Sequence, residues 1–72
     1  MVMKELEFRE ILSDFLLENN MTQVGFAKKA GIKQSQVSEW LSGKANPGYN
    51  MLKQLSLSFN KSADFWLGLK DK

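Results

Sequence analysis

The sequence predicts an all-α fold, a compact domain of five short helices, and three observations carry that expectation. Apolar residues recur at the 3.6-residue spacing of a helix buried along one face, first from Leu6 to Leu16 and later from Leu52 to Phe59. Gly31, Gly43, Asn60 and Gly68 stand where such runs stop, and each tolerates the left-handed backbone that closes a helix. No stretch alternates apolar and polar residues with the period of a strand, and no repeat or low-complexity segment interrupts the chain.

Leu6, Phe8, Ile11, Leu12, Phe15 and Leu16 form the stripe of a first helix. Its acids gather toward the N-terminal half, where the helix dipole favours negative charge. Glu18-Asn19-Asn20 breaks the pattern. Thr22 is placed to cap a second helix, because its side-chain oxygen can accept from the free N–H groups of the first turn. Met21, at the N′ position, has the spacing to staple onto Phe26. The second helix carries Phe26, Ala27 and Ala30 inward and ends at Gly31, where Ile32 plugs the corner. A third helix runs from about Gln34 to Ser42 and directs Val37, Trp40 and Leu41 to the core, with Gly43 closing it. Trp40 reads as core rather than as a stacking platform, since its three-residue spacing from Val37 is a packing signal. "KANPGYN" is a loop, marked by Asn-Pro and Gly. The fourth helix places Tyr49, Leu52, Leu55, Ser56 and Phe59 on one side and stops at Asn60. Ser62 caps a last helix from Ala63 to about Leu67, with Asp64 in its first turn. The expected organisation is a single domain over residues 1–72, its core covering about 5–68 and a tail over 69–72.

Composition narrows the function. A chain of 72 residues buries only about 60% of its unfolded surface and does not support two cores. With 43% hydrophobic and 25% charged residues, the chain has the balance of a folding globular domain, not of a disordered one. It contains neither cysteine nor histidine, which removes disulfides, the commonest metal ligands and the commonest general base. No Gly-rich phosphate loop or paired-carboxylate arrangement stands in their place, so the expectation is no catalytic residue, no metal and no cofactor. No apolar run approaches the roughly 20 residues that span a bilayer, and MVMKELEFRE lacks the apolar region of a signal peptide. A cytoplasmic location is expected, with no membrane partner.

Net charge is +2, but its distribution is uneven. Residues 4–18 hold five acids against two bases, whereas residues 22–53 hold five lysines (Lys28, Lys29, Lys33, Lys44, Lys53) against the single acid Glu39. A basic middle is the electrostatic footprint of a polyanion partner, and equally the composition of an ordinary solvated surface.

The stretch "QVGFAKKAGIKQSQVSEWLSG", residues 23–43, separates these readings. Two short helices joined by a brief turn containing Gly have the outline of a helix-turn-helix. Counted from Gln23, apolar or small residues occupy the fourth, fifth, eighth, tenth, fifteenth and eighteenth positions (Phe26, Ala27, Ala30, Ile32, Val37, Trp40), with Gly31 at the ninth. Ala27 is small where the helices cross, and Val37 with Trp40 pins the third helix by one face. With that spacing the sequence resembles the XRE/Cro-like helix-turn-helix family, which includes phage Cro and phage repressor DNA-binding domains. The resemblance runs from roughly Leu6 to Gly68 and takes in "LKQLSLSFNKSADFWLG" as the fourth and fifth helices.

The resemblance implies a lambda-repressor-like fold whose third helix lies in the major groove of double-stranded DNA. Carried over by position, Gln34, Ser35 and Glu39 face bases, with Gln36 and Ser38 beside them. Gln23 contacts a phosphate and buttresses the first recognition residue, while Lys44 and Asn46 fall in a loop beside the backbone. The chemistry agrees, since a glutamine amide matches the N6 and N7 edge of adenine, a pairing worth about 1–3 kcal/mol of discrimination. Lys33 departs from the family, which has a Ser or Thr cap there. Either Ser35 takes over part of the capping or Lys33 reaches a phosphate. Lys61 stands where the family has an apolar residue, which opens the joint between the last two helices to a looser or more exposed arrangement. Glu39 has two roles open to it: accepting from cytosine N4, or orienting Gln36 or a lysine. Leu57, Phe59 and Phe65 form a dimer patch if Trp66 and Leu67 point inward, and core burial of Phe65 is the competing reading.

The expectation is therefore a sequence-specific regulator, a phage or bacterial repressor that binds a pseudo-palindromic operator as a homodimer, at least on DNA. With no effector, protease or ligand domain within these residues, it is expected to be Cro-like, its occupancy set by concentration. The competing class is a protein-interaction module such as an antitoxin or antirepressor, suggested by the low net charge and by Glu39.

Overall fold

Five helices follow one another among residues 7–69, the residues described by this computed structural model: α1 (Phe8–Glu18), α2 (Gln23–Ala30), α3 (Gln34–Ser42), α4 (Tyr49–Phe59) and α5 (Ala63–Leu67). Lys4, Glu5 and Leu6, which the sequence assigns to the first helix and its charge balance, and tail residues 70–72 lie outside the described residues.

Local chemistry sets most of the boundaries. The Glu7 N–H at the start of α1 donates to Glu10 Oε1 at 2.9 Å, satisfying one donor that the helix leaves unpaired. At the other end Asn19 Nδ2 donates to the Phe15 carbonyl at 2.8 Å, and Asn20 turns the chain with a φ of 52°. Thr22 Oγ1 accepts from the Gly25 N–H at 3.0 Å, as its position before the apolar run predicts. Thr22→Ala is expected to cost about 1 kcal/mol in urea unfolding followed by circular dichroism, with Thr22→Ser restoring most of it. An unchanged midpoint in the alanine variant would show that water replaces the cap.

Glycine is required at the ends of α2 and α3. Gly31 has a φ of 75° and Gly43 a φ of 81°, a region that costs an L side chain roughly 1–2 kcal/mol. At Gly43 a Cβ would stand 3.4 Å from Arg9 Cδ of α1, an ordinary contact, so the backbone conformation and not the space requires glycine. Asn60 (φ 55°) closes α4, and Ser62 Oγ accepts from the Phe65 N–H at 3.2 Å to open α5.

α1 packs on α3 and α5, α2 packs on α3 and α4, and α4 packs on α5. The side chains between them form one apolar cluster in which Trp40, Trp66, Phe26, Leu12, Leu55 and Val37 are fully buried. Phe15 is a hub of aromatic contacts, with ring centroids of Trp66, Phe59, Phe26 and Phe65 at 5.1, 5.3, 6.0 and 6.1 Å. Met21, Ile32 and Leu41 pack against this cluster from its edges, as expected.

Two expectations about α4 and α5 are corrected. Tyr49 is 79% exposed and does not join the inner stripe. Steps of three residues fall short of a full turn by roughly 60°, so a stripe extended backward from Leu55 through Leu52 has drifted off the core by Tyr49. Leu67 is 49% exposed, because Trp66 takes the inward direction and the next residue lies about 100° further round the helix. Phe59 and Phe65 are only half-exposed members of the core, and each carries a lysine over its ring: Lys29 Nζ is 5.4 Å from the Phe59 centroid and Lys61 Nζ 5.0 Å from that of Phe65. Of the three residues expected to form a dimer patch, Leu57 alone stands fully exposed. Lys61 is exposed, as its departure from the apolar pattern suggests.

Candidate nucleic-acid interface

Two buried side chains aim α3. Val37 and Trp40 lie in the core, and the Trp40 ring meets Phe8 edge-on at 5.4 Å, fixing the helix from α1 as well as from α2. With that face buried, Gln34, Ser35, Ser38, Glu39 and Ser42 emerge into solvent and Gln36 is half-buried.

The N-terminus of α3 carries no side-chain cap. The Gln36 N–H returns to the Lys33 carbonyl at 3.0 Å, but the N–H groups of Gln34 and Ser35 have no acceptor among the described residues. Of the two expectations at this end, capping by Ser35 is therefore not what forms. Its hydroxyl, in the second helical position, does not fold back onto the first turn, and an acceptor from the preceding residue would be needed. Lys33 holds that place with donors only and is exposed. The N-terminus of α4, preceded by Gly48, is likewise uncapped by any side chain. Both ends present free donors and the positive pole of a helix dipole, the arrangement that attracts phosphate.

Lys33, Ser35, Gln36 and Glu39 line one shallow groove, floored by Ile32 and closed by Met51 from the first turn of α4. Met51 was not among the residues legible as functional. It falls at a non-stripe position of a helix read only for its core face, and nothing local marks it. Glu39 makes no ion pair or side-chain hydrogen bond among the described residues, so neither Gln36 nor a lysine is bonded to it there.

The sequence-predicted partner of Gln23 is corrected. Gln23, the half-buried first residue of α2, accepts at Oε1 from the Ser38 hydroxyl at 2.8 Å and makes no hydrogen bond with Gln34. Gln34 and Ser38 share a face of α3 at i and i+4, so Gln23 reaches the helix one turn, about 5.4 Å, beyond the residue expected. Gln34 is left exposed, its side chain without a hydrogen-bond partner among the described residues.

Behind α3 the chain is tied down. The Glu39 carbonyl accepts from the Lys44 and Ala45 N–H groups at 3.0 and 3.3 Å and from Ser42 Oγ at 3.0 Å. Lys44 is thus exposed on a fixed backbone. Asn46 is exposed too, but it lines a different cleft, with Phe8, Pro47, Leu52 and Trp66, away from the groove beside α3. One further long-range tie escaped the sequence: Gln54 of α4 donates through Nε2 to the Ala30 carbonyl, securing the C-terminal end of α2 beside the turn. No helix among the described residues is long and apolar enough to cross a membrane.

A protein-family model described as helix-turn-helix matches residues 12–66, which include α2, the turn, α3 and α4. No curated protein and no solved structure matches the chain.

Proposed function

We propose, for a chain that belongs to the XRE-type helix-turn-helix family of DNA-binding regulators, that it is a sequence-specific repressor of the Cro type, encoded by a phage or a bacterium. The observation that supports the reading best is the first turn of α3, which is uncapped, carries exposed polar side chains and is held rigidly from behind by Val37 and Trp40. In this reading α3 enters the major groove. Gln34, Ser35, Gln36 and Glu39 meet base edges, and Gln23, Lys33, Lys44 and Asn46 meet phosphates. Glu39, free of other partners, suits the N4 donor of cytosine.

A homodimer on a pseudo-palindromic operator would set two such helices about one turn of DNA, roughly 34 Å, apart. Exposed apolar side chains away from α3, Leu57 among them, supply surface for that contact. Folding as one domain, the chain needs no cofactor for this work.

The test is a selection from randomised duplexes with the purified protein, repeated at rising salt. The expected result is one enriched motif with two inverted half-sites, bound with an affinity that falls steeply with salt as phosphate counterions are displaced. No enriched motif, alongside tight and specific capture of a protein partner, would replace this reading with that of an antitoxin or antirepressor.

A further inference from the structure

The hydrogen bond between Ser38 and Gln23 assigns a role to Ser38 that its place on α3 conceals. Ser38 is exposed on the face of Gln34 and on spacing alone would be counted among the base readers. Its hydroxyl hydrogen is instead committed to Gln23 Oε1, 2.8 Å away on the neighbouring helix. A glutamine amide has two unlike ends, an acceptor oxygen and a donor NH2, and only the second favours a phosphate. An unrestrained amide rotates between presenting one and the other. In this chain the oxygen is occupied by Ser38, so the NH2 is the end left to face outward at the start of α2, where the helix dipole also favours an anion.

We propose that Ser38 is a positioning residue: it locks the Gln23 amide so that Nε2 donates to a DNA phosphate, and it does not read a base. The inference rests on the DNA-binding reading above and adds to it a division of labour along α3. Gln34 is left without support from Gln23 and reads its base alone. Ser38 tightens binding to every sequence equally.

The experiment compares wild type, Ser38→Ala, Ser38→Thr and Gln23→Ala on the selected operator and on duplexes in which single phosphates are replaced by uncharged methylphosphonates. Ser38→Ala is expected to weaken binding by up to about 10-fold, the worth of one ordinary hydrogen bond being the upper bound on what holding the amide in place contributes, and to leave the enriched motif unchanged. Ser38→Thr keeps the hydroxyl and is expected to stay within about 2-fold of wild type on the same basis. Combined with Gln23→Ala, the Ser38 change should add almost nothing, because the two act through one contact. On the duplex lacking the charge that Gln23 meets, the penalty of Ser38→Ala should vanish, which a general loss of stability would not produce. A changed base preference at one operator position would overturn the proposal and make Ser38 a reader. Unchanged affinity of Ser38→Ala on an operator that wild type binds would overturn the positioning role alone. Failure of wild type to bind any duplex would overturn the DNA-binding reading and this inference with it.

Discussion

Phe26→Ala is expected to remove a large share of the domain's stability. The side chain is fully buried, stacked on Phe59 at 4.5 Å with the rings 13° apart, and meets Phe15 edge-on at 6.0 Å. Truncating a buried phenylalanine costs about 3–5 kcal/mol, because the transfer energy is lost and the cavity collapses only in part. That figure already contains the lost contacts with the Phe59 and Phe15 rings. A domain of 72 residues holds only about 4–11 kcal/mol in total, at some 0.05–0.15 kcal/mol per residue. Circular dichroism at 222 nm against urea measures the effect, and Phe26→Leu, which keeps most of the volume, should retain a cooperative transition. A loss below about 1 kcal/mol in the alanine variant would contradict the central place given to this ring. Because Phe26 lies on the helix that supports α3, DNA binding should fail together with the fold.

Gln34→Ala should do the opposite, leaving the fold intact while changing recognition. Gln34 is exposed and has no side-chain partner among the described residues, so its removal breaks no internal contact. Read as a bidentate partner of adenine, it contributes about 1–3 kcal/mol of discrimination, equivalent to roughly 5- to 150-fold in affinity. The variant is expected to lose that factor on the selected operator and to accept several bases at one position of each half-site. A repeated duplex selection reads both outcomes. The same motif and affinity as wild type, with an unchanged urea midpoint, would remove Gln34 from the base contacts.

The contrast between these residues explains what was legible. Thr22, Gly31, Gly43, Asn60 and Ser62 act within a few residues of themselves, through a capping bond or a left-handed backbone, so their roles are written in local order. The cores of α2 and α3 are equally local, being set by helical spacing. Pairings that join distant parts of the chain leave no such trace. Ser38 and Gln23 are 15 residues apart, and Gln54 and Ala30 are 24 apart. Gln54 read alone is an ordinary surface residue, and Gln23, although marked by the resemblance, carries nothing that names Ser38 as its partner. Phe59, placed both on the inner side of α4 and in a dimer patch, and Phe65, left open between core and patch, could not be decided from spacing for a related reason. Their exposure depends on how α4 and α5 settle around Phe15, and on two lysines that cover the rings from other segments. Tyr49 was lost to the arithmetic of three-residue steps. In the candidate interface, residue types were legible from position, whereas the choice between reading a base and holding a neighbour required the two helices to be seen side by side.

The longest helices, α1 and α4, have 11 residues each, below the roughly 12–15 at which an isolated helix begins to hold in water. None of the five helices is therefore expected to hold once it leaves the core, so α3 keeps its shape through buried Val37 and Trp40 and not through its own length. Each 1.4 kcal/mol lost from the core multiplies the open population about tenfold and exposes that much more of it to degradation. In the proposed reading, the amount of folded protein present to bind DNA depends on side chains such as Phe26, buried away from the recognition surface.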